Sequence, residues 1–154
     1  MQEVGLTNNF VEQICKKLFG NTFLGVYPCD IHPNTRRKNF SIVFNTGDSS
    51  TSGEHFVCLY TNSSTLFYFD SFGKKPTDKN IQSYIKKQKH GRRFVYWKKN
   101  IQHSLSGYCG FYVIGYLIHK NWNVKSFTRI FSKDLLKNDK IIVDFISKCL
   151  KNSI

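Results

Sequence analysis

Cys109 stands in Ser106-Gly107-Tyr108-Cys109-Gly110, directly ahead of an almost wholly apolar stretch that runs to Trp122. If that stretch is a helix, Cys109 sits at its N-terminus. There the unpaired backbone N–H groups and the positive end of the helix dipole favour thiolate over thiol. A thiolate in that position is a nucleophile for acyl transfer, and the flanking glycines let a substrate backbone come close. The same local sequence also suits a cysteine that merely packs, so the decision rests on its partners.

A nucleophile needs a base. Of the five histidines, His55 opens a hydrophobic strand directly after Gly53-Glu54, whereas His32, His90, His103 and His119 fall in turns, a Lys-rich patch, a loop and the apolar helix. Asp70 ends the strand that follows. In a hairpin the start of one strand lies beside the end of the next, so His55 and Asp70 become neighbours and the carboxylate can fix the imidazole tautomer. Gln102 lies in the loop leading to Cys109. Its amide N–H, aimed at the same point as the Cys109 backbone N–H, would form an oxyanion hole.

The elements that must position these groups are readable from periodicity. Thr7 to Phe19 predicts a helix with Thr7 as N-cap and Gly20 as stop. Asn21 to Arg37 reads as turn-rich, and Asn39 to Asn45 as a short strand before a polar loop, Thr46 to Glu54. His55 to Tyr60 and Thr65 to Asp70 read as a hairpin across Thr61-Asn62-Ser63-Ser64. Thr77 to Lys89 predicts a surface helix, Arg93 to Trp97 a strand, Cys109 to Trp122 a core helix, and the tail from Lys133 to Leu150 ends in an amphipathic helix. The class is α+β: a central, mostly antiparallel sheet flanked by helices, with the nucleophile at the N-terminus of a buried helix.

At 154 residues with 40% hydrophobic content, the chain suits one domain spanning 1–154, read as a monomer. Met1-Gln2-Glu3-Val4 lacks the features of a signal peptide, and the longest apolar run, Tyr108 to Ile118, is too short to span a bilayer. No membrane partner is expected. Five cysteines at irregular spacings argue against a secreted disulfide framework and for an intracellular, reducing location. The net charge of +13 points to a polyanionic partner. Lys86, Lys87, Arg92 and Arg93 are the candidate DNA-binding residues, set against the plainer account that an A/T-rich coding sequence enriches lysine.

Two other readings compete. Cys29 with His32 and His55 with Cys58 have a spacing found in zinc sites. On a strand, however, residues three apart face opposite sides, so the second pair could not share a metal, and no metal site is expected. A non-enzymatic nucleic-acid-binding module would use the charge and the aromatics, but leaves the ordered histidine, aspartate, glutamine and cysteine without a role.

The words Gly53-Glu54-His55-Phe56, Phe69-Asp70-Ser71-Phe72-Gly73 and Gln102 through Gly107-Tyr108-Cys109-Gly110-Phe111 resemble the adenovirus-type cysteine endopeptidase, adenain. More distantly they resemble the ubiquitin-like-protein proteases. Phe23-Leu24-Gly25-Val26-Tyr27, Asn45-Thr46-Gly47, His119 and Asn121-Trp122 are similar too, so the resemblance covers roughly 6–122. It departs at Asp70, where adenovirus enzymes carry glutamate and the ubiquitin-like-protein proteases aspartate, and at Phe56, where tryptophan is usual. The resemblance implies a viral maturation protease that cuts precursor capsid or core proteins near small residues, in the host nucleus or the virion. Deconjugation of ubiquitin-like proteins is the alternative. No cofactor is required for the chemistry; stimulation by DNA or a peptide activator is implied. A disulfide-linked activator is disfavoured, because no cysteine lies between Leu59 and Ser106.

Overall fold

The computed structural model describes residues 6–47 and 55–152. The start from Met1 to Gly5 and most of the expected polar loop, including Gly53-Glu54, lie outside the described residues.

Helix α1 (Asn8–Phe19) begins where Thr7 Oγ1 accepts the Phe10 N–H at 3.2 Å, and ends at Gly20. It turns Val11 and Cys15 into the core. Five strands follow: β1 (Phe23–Pro28), β2 (Phe40–Asn45), β3 (Phe56–Thr61), β4 (Thr65–Phe69) and, after helix α2 (Lys79–Lys89), β5 (Arg93–Tyr96). Helices α3 (Cys109–Trp122) and α4 (Asn138–Asn152) complete the chain.

The strands lie in the order β1-β2-β3-β4-β5. The inner pairings, β2 with β3 and β3 with β4, are antiparallel; the outer two, β1 with β2 and β4 with β5, are parallel. Strand β1 corrects the turn-rich reading of Asn21 to Arg37. Its alternation is broken by a register shift between Phe23 and Val26, where Gly25 has φ 134, and Pro28 closes it at the sheet edge. Those are the residues that signal turns in a sequence, and an edge strand tolerates them.

The middle strands are buried on both faces, as their apolar runs require. Val43, Cys58 and Phe69 meet α3 and α4 on one face, while Ile42, Phe44, Val57 and Leu59 join Ile81, Tyr84 and Ile85 of α2 on the other. Helix α3 is nearly encased, with Tyr112, Val113, Leu117 and Ile118 at full burial. Its N-terminal residue is thereby held in place by the core itself.

After β4 the chain turns tightly, with Gly73 N–H donating to the Asp70 carbonyl at 2.8 Å and Ile101 N–H to the Ser71 carbonyl at 2.9 Å. Gly73 has φ 74, and a Cβ there would lie 2.7 Å from Asn100 N and 2.8 Å from Lys98 O. Backbone cannot yield as a flexible side chain can, so this glycine lets two loops of the molecule lie against each other. Gly73→Ala is expected to cost about 2 kcal/mol or more, combining left-handed strain with the clash. Thermal melting checks this, and an unchanged melting temperature would show that the loops do not touch as described.

Candidate active site

The β3/β4 register, Cys58 against Phe69 and Leu59 against Tyr68, brings the start of β3 beside the end of β4. His55 immediately precedes one and Asp70 immediately follows the other. His55 Nε2 lies 2.8 Å from Asp70 Oδ1. The same carboxylate oxygen accepts the Phe72 N–H at 2.9 Å, which fixes its orientation. The Phe72 ring stacks on the imidazole with centroids 4.8 Å apart, so the ring is held at its edge and on a face.

The Cys109 side chain is near enough to His55 to act on the basicity of the imidazole. With Nε2 taken by Asp70, Nδ1 is the nitrogen left for the thiol. Burial by itself would lower the basicity of the imidazole. The hydrogen bond to Asp70 and the nearby Cys109 side chain, with the negative charge each can carry, outweigh it and raise the His55 pKa from 6.5 to about 9. The imidazolium is therefore the favoured form at neutral pH, a charge state that stabilises a neighbouring thiolate.

Cys109 opens α3 and is partly exposed. The preceding residue, Tyr108, caps the helix with no side-chain hydrogen bond, which leaves first-turn N–H groups for another acceptor. The remaining thiols are poorly suited to attack. Cys15, Cys29 and Cys58 are buried. Burial pushes the Cys15 and Cys58 thiols far up, and the Cys149 thiol up as well.

Gln102 is 1% exposed, and both ends of its amide are engaged. Its Oε1 accepts from Ser71 Oγ, and its Nε2 donates to the Ser106 carbonyl at 2.9 Å, with Ser106 Oγ at 3.3 Å. The amide thus holds the loop before Cys109 closed. The loop folds back on itself, a feature that a lone glutamine in a polar sequence does not reveal.

The same loop is tied to α4. Ser106 Oγ donates to Asp139 Oδ1 at 2.8 Å and accepts the Tyr108 N–H at 3.1 Å, while Tyr112 Oη donates to Asp139 Oδ1 at 2.9 Å. Asn138 Nδ2 donates to the Ile101 carbonyl at 2.8 Å. The sequence reading gave no role to Ser71, to the Phe72 ring, or to Asn138 and Asp139. Phe72 could have been found from its place beside Asp70. Asn138 and Asp139 carry no local signal, because their partners lie far upstream.

Of the expected DNA-binding residues, Lys86 and Lys87 are exposed on α2 and Arg93 is exposed at the start of β5. Arg92 is corrected: it is 7% exposed, and its guanidinium donates to the backbone carbonyls of Asn62, Gln88 and Lys38. It ties together three segments and does not stand on the outer face with its neighbours. His32 Nε2 lies 2.9 Å from the Cys29 carbonyl, and among the described residues no group of three possible metal ligands is gathered.

No protein-family model and no curated protein matches the chain. Among solved structures, the crystal structure of the ASFV pS273R protease matches with a TM-score of 0.65 at 17% identity, covering 89% of this chain and 66% of that one. A selenomethionine structure of that protease matches with a TM-score of 0.44 at 21% identity, covering 68% of this chain and 43% of that one. The chain thus spans 66% of the length of the first of these structures. At that level of identity the likeness is one of architecture: this α+β chain, a mixed five-stranded sheet between helices, has the fold of the ASFV pS273R protease.

Proposed function

We propose that the chain is a cysteine endopeptidase of the adenain type. The observation that carries this reading is the imidazole of His55 paired with the Asp70 carboxylate at 2.8 Å and near the Cys109 thiol, with Cys109 at the N-terminus of α3. The shared fold with a protease and the motif resemblance support it.

The Cys109 thiolate attacks the scissile carbonyl, and the carbonyl electrons move onto oxygen. The oxyanion is met by backbone N–H groups of the α3 first turn. Gln102 contributes an N–H when its longer contact, the one to Ser106 Oγ, yields to the substrate. His55 then gives its Nδ1 proton to the leaving amine as the C–N bond breaks. For deacylation the neutral imidazole takes a proton from water, the hydroxide attacks the thioester, and thiolate and imidazolium are restored. Asp70 holds the ring throughout and is not itself protonated.

The substrates are precursor capsid or core proteins cut near small residues, acted on in the host nucleus or the virion by a monomeric, single-domain enzyme that needs no cofactor for the chemistry. Non-specific DNA is held by the exposed Lys86, Lys87 and Arg93.

A peptide library and a panel of ubiquitin-like-protein conjugates distinguish the substrate classes. The expected result is hydrolysis of peptides next to glycine or another small residue, stopped by iodoacetamide in step with alkylation of Cys109. Preference for the conjugates would make the chain a deconjugating protease. Absence of thiol-dependent hydrolysis on both panels would leave the non-enzymatic reading in its place.

A further inference from the structure

Arg92 is a buried charge without a counter-charge. None of the ion pairs among the described residues includes it. Its guanidinium donates to Asn62 O at 2.8 Å, Lys38 O at 2.8 Å and Gln88 O, and lies 6.0 Å from the centroid of the Phe40 ring. Neutral carbonyls solvate a cation but do not neutralise it, so such a charge favours an anion nearby. Three hydrogen bonds also leave two of the five guanidinium N–H donors unassigned.

Arg92 lines a cavity of about 400 Å³ together with Arg36, Arg37, Lys38, His90 and Ser63. Arg36, Arg37 and Lys38 are exposed at its mouth. Among the described residues, no acidic side chain lines it. Four cationic side chains therefore line one small concavity, where a multivalent anion would gain from all of them. The cavity sits at the Asn62–Ser64 end of the hairpin, beyond the ends of β3 and β4 that are remote from His55 and Asp70. One strand length, roughly 20 Å, separates the two places.

We propose that this cavity is a binding site for a compact oligophosphate. Several negative charges within a few hundred Å³ match the cation density, and arginine forks suit phosphate oxygens in pairs. A single carboxylate would leave most of the positive charge unmet. The site stands on Arg92 and its surroundings alone and holds whether or not the chain is a hydrolase.

Tripolyphosphate, titrated calorimetrically at constant ionic strength, tests the site. Saturable binding of one equivalent is expected. Arg36→Gln with Arg37→Gln, both at exposed positions, should weaken it by about tenfold. Lys86→Gln with Lys87→Gln, on the neighbouring helix face, should change it by no more than about threefold. A short oligonucleotide identifies the source of the phosphates: competition with tripolyphosphate assigns the cavity to a nucleic-acid backbone, and lack of competition assigns it to a free oligophosphate. The proposal is overturned if the wild type shows no saturable binding of tripolyphosphate, if Arg36→Gln with Arg37→Gln binds it as the wild type does, or if sulfate at equal ionic strength binds equally well.

Discussion

Cys109→Ala should reduce peptide hydrolysis by about five to six orders of magnitude, to the level set by binding and the oxyanion donors alone. Two features make the expectation sharp. Cys109 is the cysteine whose side chain acts on the His55 imidazole, and it opens a helix whose N-terminus has no side-chain cap. Alanine at this partly exposed position removes one sulfur atom and leaves the buried face of α3 untouched, so the melting temperature should stay close to that of the wild type. Alanine at Cys15 or Cys58 should do the reverse, lowering stability through a buried cavity while the folded fraction keeps its activity. Comparing hydrolysis per folded molecule across the three variants separates nucleophile from packing. A Cys109→Ala protein with near-wild-type turnover would falsify the assignment.

What could be read from the sequence followed from local periodicity. The hairpin was visible because aromatic and β-branched runs flank Thr61-Asn62-Ser63-Ser64, and the antiparallel register then places His55 beside Asp70. Helix α3 was visible because it is apolar on all sides, which is the signature of an encased helix. What could not be read depends on partners distant in the chain. Strand β1 joins β2 in parallel, a pairing that no tight turn announces, and Gly25 and Pro28 imitate a loop. Arg92 looks like one more member of a charged run, yet carbonyls from Lys38, Asn62 and Gln88 draw it inward. The partners of the Gln102 amide, Ser71 on one side and Ser106 on the other, are equally invisible in a polar loop read on its own.

His55→Ala should be nearly as damaging as loss of the nucleophile, because the imidazole both stabilises the thiolate and delivers the proton to the leaving amine. Asp70→Asn should cost about four orders of magnitude or less, and its more telling effect is on pH dependence. In the wild type the His55 pKa is about 9, so the imidazolium needed for the ion pair is lost as pH rises through that value and kcat/KM should fall with it. The Asp70 hydrogen bond and charge both raise this value against the downward pull of burial. Removing the charge lets burial count for more, so the alkaline limb in Asp70→Asn should move to lower pH. Stability carries the same sign. Because the folded-state value lies above the unfolded one, the stability contributed by protonated His55 is complete below about 6.5 and is lost as pH rises through about 9. Urea unfolding across that interval should show a decline in the wild type that is smaller in Asp70→Asn. If the asparagine variant kept its alkaline limb near 9 and the full decline in stability, the carboxylate would be a turn residue with no hold on the imidazole.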